Sequence, residues 1–230
     1  MLKLFVFVLF FLSLQCILFT NGLVVSQTSC PLPPKLKNNY DYDWKSRNNE
    51  WVNTKSKTDY LLLSLSWSPT FCASLPDRVR DNEFQCSRSD SFGLIVHGLW
   101  PQTSGSSSYR DQPRNCRNEQ QLPTSLIKRF YCLMPDEDLM QAEWEKHGSC
   151  YFKTPMEYFT VIENLFNQLK IPDIRTMKQP TYKTIRDAFV SLNSPNLFYS
   201  AINVQMNQEG QLGEIRICYD LQYKFISCKQ

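Results

Sequence analysis

Eight cysteines, Cys30, Cys72, Cys86, Cys116, Cys132, Cys150, Cys218 and Cys228, span almost the whole chain and constrain its folding more than any other feature. A ninth, Cys16, lies within an apolar run from Leu4 to Phe19 that only Lys3 precedes with a charge. This charge-then-apolar layout is read as a secretory signal peptide, residues 1–26, cut after Ser26, so Cys16 leaves with it. An even number of cysteines in an exported chain predicts four disulfides. Zinc is the alternative, but zinc sites are usually built from closely paired CxxC or clustered Cys/His ligands. Here the two nearest cysteines, Cys218 and Cys228, are ten residues apart. Spacing alone suggests only that this last pair closes a hairpin.

Residues 27–230 are expected to form a single domain large enough to bury a sizeable core. The chain is 42% hydrophobic with a formal net charge of +3, which excludes global disorder. No second apolar run approaches the roughly 18 residues needed to cross a bilayer, so no membrane association is expected after signal removal. There is no Gly-Lys dipeptide and no GxGxxG, which removes phosphate-loop and dinucleotide-binding readings. Asn-x-Ser/Thr is also absent, so ordinary N-glycosylation is not expected.

The stretch from Gln27 to Asp59 is rich in Pro, Asn, Lys and Tyr without a clear period, and reads as a surface arm pinned by Cys30. Tyr60–Trp67 is short, apolar and stopped by Ser68-Pro69, as a buried strand would be. Phe92–Val96 reads as a second strand, and the Ser-rich stretch from Thr103 to Cys116 as a surface loop. Thr154-Pro155-Met156-Glu157 is a helix start with a capping box, followed by Phe159, Ile162, Phe166 and Leu169 at helical spacing. That stripe is core packing. Further helices are predicted over Pro123–Leu133 and Tyr182–Leu192, and strands over Phe198–Met206, Glu214–Asp220 and Lys224–Cys228. Strands mixed with helices that do not alternate regularly indicate an α+β fold.

Both histidines occupy similar settings. His97 follows an apolar strand in FGLIVHGLWPQ, and His147 stands in EWEKHGSC beside a cysteine. Each alone is readable as a hydrogen-bonded histidine at the end of an element. Together, on disulfide-anchored segments, they could act as general acid and general base, because imidazole titrates near neutrality. Glu143, Lys146 and His147 are spaced i, i+3 and i+4, so on a helix they share a face. A lysine there would stabilise a transition state rich in negative charge. The plain alternative is a Glu–Lys surface pair.

LSLSWSPTFC, FGLIVHGLWPQ and EWEKHGSC, in this order and separation, resemble the signature segments of the ribonuclease T2 family. EIRICYD followed by Cys228 resembles that family's C-terminal strand and disulfide. The resemblance runs from about Tyr60 to the C-terminus.

It implies a ribonuclease T2-like α+β fold, with a central antiparallel sheet, several helices and disulfide bracing. It also implies an endoribonuclease that works by metal-free transesterification through 2′,3′-cyclic phosphate ends; a preference for single-stranded RNA with low base specificity is the expectation adopted for this chain. In that reading His147 is the base, His97 the acid, and Glu143 and Lys146 stabilise the pentacovalent phosphate. DNA lacks the 2′-hydroxyl nucleophile and should not be cut. Trp100 would stack on a base, with Tyr109 as a second wall and Gln102 in a position that reads the base in some members. The family's disulfide scheme implies Cys72–Cys86, Cys116–Cys150 and Cys218–Cys228, which leaves Cys30 with Cys132. The partner implied is RNA, without metal or cofactor, for a monomer exported to the extracellular space, the periplasm or a lysosome- or vacuole-like lumen. Two positions depart from the family pattern: Ala142 stands where many members have a further histidine, and Gln102 where Asp or Asn is common. The rival reading is a family member that works by recognition or toxicity, with nuclease activity secondary or absent.

Overall fold

The computed structural model describes Cys30 and residues 32–228; the expected signal peptide lies outside the described residues. Four strands form one sheet: β1 (Tyr60–Trp67), β2 (Leu94–Gln102), β3 (Ile202–Met206) and β4 (Leu212–Tyr219). Their order is β2-β1-β4-β3, and every neighbouring pair is antiparallel. Among the described residues six α-helices accompany them: α1 (Ser68–Ser74), α2 (Asp77–Arg80), α3 (Thr124–Phe130), α4 (Glu137–Lys146), α5 (Pro155–Gln168) and α6 (Tyr182–Leu192). The architecture is α+β with a central antiparallel sheet.

The period of two in a strand sorts the sheet into two faces. Leu61, Leu63 and Leu65 of β1 align with Leu99 and Val96 of β2 and with Ile215 and Ile217 of β4, all buried. The same core takes Phe159, Ile162 and Phe166 of α5 with Ile185 and Phe189 of α6. Burying one such side chain contributes about 1.5–3 kcal/mol, so this face supplies most of the driving force for folding. The opposite face carries Trp100, Gly98, Arg216 and Glu214, aligned in successive rows across β2, β1 and β4.

The starts of α5 and α6 follow their capping residues. Thr154 accepts from the Glu157 N–H at the head of α5, and Thr181 accepts from Thr184 at the head of α6. The Glu157 carboxylate reaches back to the Lys153 N–H rather than to Thr154, so the expected capping box is displaced by one residue. Four disulfides join Cys30–Cys132, Cys72–Cys86, Cys116–Cys150 and Cys218–Cys228.

Three expectations about elements need correction. The second strand starts at Leu94 and does not stop at Val96 but continues to Gln102, because a bulge absorbs His97 and lets pairing resume. The third C-terminal strand over Lys224–Cys228 does not form. That segment makes one isolated bridge, Tyr219 to Phe225, and is held by the Cys218–Cys228 link instead. β3 begins at Ile202, since Tyr199–Ala201 is a short 3₁₀ turn.

Candidate active site

The bulge in β2 creates the site. Leu65 pairs with Val96 and Ser64 with Gly98, so His97 is the extra residue. A regular strand would send His97 and Trp100, three apart, to opposite faces. With one residue bulged out, Leu99 keeps its place in the core while His97 and Trp100 lie on the same side of the sheet. Gly98 then closes the approach of α4: a Cβ there would stand 2.2 Å from Glu143 Oε2 and 2.7 Å from Trp100 Nε1. Only glycine lets these two elements come so near.

Helix α4 delivers the opposing side chains. Asp136 caps its start by accepting from the Leu139 N–H, and Trp144 is buried against Tyr158. Gly148 packs where a Cβ would meet Trp144 at 2.5 Å and Tyr158 at 3.0 Å. His147 is not within the helix. It is the C-cap, with φ −123° and ψ −54°, and its N–H still bonds to the Glu143 carbonyl at 3.1 Å. The shared face expected from spacing thus holds for Glu143 and Lys146, with His147 turned in from the residue just beyond them.

Glu143 stands between the two imidazoles. His97 Nε2 is 3.8 Å from Glu143 Oε1, and His147 Nε2 is 3.9 Å from Oε2. The indole of Trp100 donates to Glu143 Oε2 at 2.6 Å, and its ring lies 5.3 Å from His97 and 5.5 Å from His147. Trp100 therefore spaces the pair. His97 Nδ1 is bonded to Glu214 Oε1 at 2.6 Å, leaving Nε2 directed at the cleft. Arg216 holds Glu214 Oε2 through Nε and Nη2 at 3.0 and 2.8 Å, and its guanidinium lies 5.3 Å from the Trp100 ring.

These surroundings displace the two histidines in opposite directions. Burial pulls His97 down, but the Glu214 hydrogen bond and the Glu143 and Glu214 carboxylates outweigh it, so its pKa is raised. For His147, burial and the neighbouring Arg114, Lys146 and His97 cations overcome the Glu143 carboxylate and push it down to about 3. Glu143, although buried, is held below its ordinary value by the imidazoles of His147 and His97, by Lys146 and by the Trp100 N–H. Burial lowers Lys146, with Glu143 opposing and Arg114 adding to the effect. Glu214 is kept ionised down to about 2: burial opposes this, and His97 and Arg216 prevail. Two imidazoles facing one carboxylate, with pKa values displaced in opposite directions, have the electrostatic arrangement that an acid–base pair requires.

The sequence profile of the ribonuclease T2 family matches residues 58–228, about three-quarters of the chain. The chain belongs to the ribonuclease T2 family. It is accordingly an enzyme of the T2 endoribonuclease type. A probable ribonuclease of Haemophilus influenzae is 33% identical over 196 residues, covering 82% of this chain and 68% of that protein. Two solved structures share the T2 fold at about one-fifth identity. The RNase-related protein of Calystegia sepium matches with a TM-score of 0.57 at 20% identity, covering 76% of this chain and 93% of its own. Trichomaglin, described as an S-like ribonuclease, gives 0.58 at 21%, with the same coverages.

Within this T2 fold the remaining predicted residues sit further out. Gln102, at the end of β2, donates to the Pro101 carbonyl at 2.9 Å. Tyr109 is 66% exposed and touches the site only through Trp51, whose ring it meets edge-on at 5.1 Å. Ala142 is buried in α4 and presents no polar group. Several site residues escaped sequence reading. Glu214 and Arg216 lie on one face of the quoted EIRICYD segment, and their period-two spacing was the available signal. Arg114, whose Nη1 lies 3.3 Å from His147 Nε2, gave no signal, nor did Glu50, which pairs with it, or Tyr42, which donates to Glu50, because they meet only through the path of the N-terminal arm.

Proposed function

We propose that this T2-type ribonuclease cleaves single-stranded RNA by transesterification, with His147 as general base and His97 as general acid. One observation carries the reading: two imidazoles face opposite oxygens of the buried Glu143 carboxylate, and their pKa values are driven apart. His147 Nε2, neutral above about pH 3, takes the 2′-hydroxyl proton. The 2′-oxygen attacks phosphorus, the P–O5′ bond breaks, and the proton on His97 Nε2 passes to the departing 5′-oxygen. A 2′,3′-cyclic phosphate remains on one fragment. Glu214 orients His97 and favours its charged form, as an ionised partner does for an imidazole. Lys146 offsets charge that builds up on the phosphorane oxygens.

Trp100, Gln102 and Tyr109 are assigned to the base-binding side. Stacking on aromatic rings tolerates every base, which supports low base specificity. The protein is further proposed to be exported after removal of residues 1–26, and to act as a monomeric domain of residues 27–230 without metal or cofactor. Four disulfides agree with an oxidising compartment. Among the described residues no helix is long and apolar enough to cross a membrane.

The test uses oligoribonucleotides carrying one 2′-deoxy or 2′-O-methyl nucleotide, digested in excess chelator. Cleavage at every unmodified step, and none 3′ to the modified nucleotide, is expected. Cleavage there, or loss of activity to the chelator, contradicts the mechanism.

A further inference from the structure

We infer that Arg114, clamped by Glu50 of the N-terminal arm, is a phosphate-contacting residue of the active site that takes the phosphodiester of bound RNA. The inference rests on the RNA-cleaving reading above and adds a cation to it.

The guanidinium is committed on one side and available on the other. Its Nε and Nη2 donate to the two carboxylate oxygens of Glu50 at 2.7 and 2.8 Å, a bidentate pairing. Its Nη1 lies 3.3 Å from His147 Nε2, the proton acceptor of the proposed mechanism. A neutral imidazole lone pair is a weak partner for a permanent cation. A phosphate oxygen is a strong one, and the planar fork of arginine suits it. When RNA enters, Nη1 passes from His147 to a phosphate oxygen, and the imidazole lone pair becomes free for the 2′-hydroxyl proton. One movement thus binds the anion and uncovers the base.

The surroundings show that this side chain is held for use. Trp51 lies under the guanidinium at 4.4 Å. Glu50 also accepts from Asn115 Nδ2 at 3.1 Å and from the Tyr42 hydroxyl, and is ionised down to about 2: burial raises it, and Arg114, Tyr42 and Asn115 outweigh that. The Arg114 backbone pairs with Asn53 in both directions, at 2.9 and 3.1 Å. The next residue, Asn115, takes φ +51° and donates its N–H to the Lys146 carbonyl at 3.0 Å. Cys116–Cys150 then links the segment to the turn after His147. Fixing an arginine side chain costs rotamer entropy, here met before RNA arrives. The arm that does this lies outside the residues matched by the T2 family profile, which begins at residue 58. It also reaches Lys146, whose Nζ stands 4.6 Å from the Tyr42 ring. With alanine at position 142, Lys146 is the one basic side chain of α4, and Arg114 supplies a further cation from elsewhere in the chain.

The test compares wild type with Arg114→Ala, Arg114→Lys and Glu50→Gln. Two readouts are used: affinity for a 3′-nucleotide monophosphate by calorimetry, and the salt dependence of kcat/KM on a short oligoribonucleotide. Losing a hydrogen bond to a charged group predicts roughly 10- to 100-fold weaker nucleotide binding in Arg114→Ala. Affinity for the matching uncharged nucleoside should not change, and lysine should restore only part of the loss. The slope of log kcat/KM against log salt should become shallower by about 0.7, the contribution of one phosphate contact on a single strand. Glu50→Gln should raise KM more than it lowers kcat. If Arg114→Ala does not fold, Arg114→Lys and Glu50→Gln carry the same comparison. Unchanged nucleotide affinity and salt slope in a folded variant overturn the inference. Calorimetry does not need turnover, so failure to cut RNA would sink the catalytic reading while leaving the Arg114 result readable.

Discussion

Gly98→Ala is a small change with a large expected effect. The added Cβ would stand 2.2 Å from Glu143 Oε2, where ordinary contact begins near 3.4 Å, so the carboxylate must retreat by more than 1 Å. Gly98 lies in the bulged strand, paired with Ser64 of β1, so the backbone has little freedom to yield. Glu143 has its own place fixed by α4, and its retreat lengthens the 2.6 Å bond from Trp100. A hydrogen bond to a charged group is worth about 1.5–3 kcal/mol, and a buried carboxylate left short of donors loses that much. Against a total stability of about 5–15 kcal/mol this is a visible loss. The effect on rate is larger. Both imidazoles are set by Glu143 and Trp100, and a misplacement of about 1 Å near reacting groups costs on the order of 100-fold. Gly213→Ala in β4 is the control, since its Cβ meets only the Gln205 carbonyl at 3.4 Å. Urea unfolding and RNA cleavage rates would be measured on both. If Gly98→Ala keeps wild-type stability and rate, the close approach of β2 and α4 does not organise the site.

Other outcomes follow from the same geometry. Glu214→Gln removes the charge that raises His97, so the alkaline limb of the kcat/KM profile should move to lower pH, while the acid limb stays in place. An unmoved alkaline limb would show that His97 does not act as the acid. Stability should fall as pH drops from about 6.5 toward 3: the unfolded chain protonates His147 at its ordinary value, and the folded chain resists until about 3. Urea midpoints in His147→Asn should lose that slope, and an unchanged slope would contradict the buried neutral imidazole. Replacing Cys116 and Cys150 by serine opens a crosslink spanning 34 residues, worth about 4 kcal/mol by loop entropy. Activity should fall further than stability explains, because the crosslink braces the segment after His147. Equal losses would reduce it to a staple.

Much of this was legible before the fold was known, and the exceptions share one cause. β1 and α6 lie where their apolar runs and caps place them, because both patterns are local. His97, Glu143, Lys146 and His147 were legible as a set through motifs and helical spacing. The bulge at His97 was not, since it depends on which residue of β1 lies opposite. Glu214 meets His97 across 117 residues, and Glu50 meets Arg114 across 64. No periodicity reports such distances. The N-terminal arm, without a repeat and without an apolar face, gave no reason to look for Glu50. It acquires meaning only where Arg114 is pulled against it by Asn53 and the Cys116 link.

The most direct test of the two-histidine mechanism is mass spectrometry of RNA fragments after digestion in chelator by wild type, His97→Ala and His147→Ala. The account predicts 2′,3′-cyclic phosphate ends from wild type, and severe loss of cleavage in both folded variants. Intact RNA after incubation with wild type, or normal cutting by either variant, would contradict it.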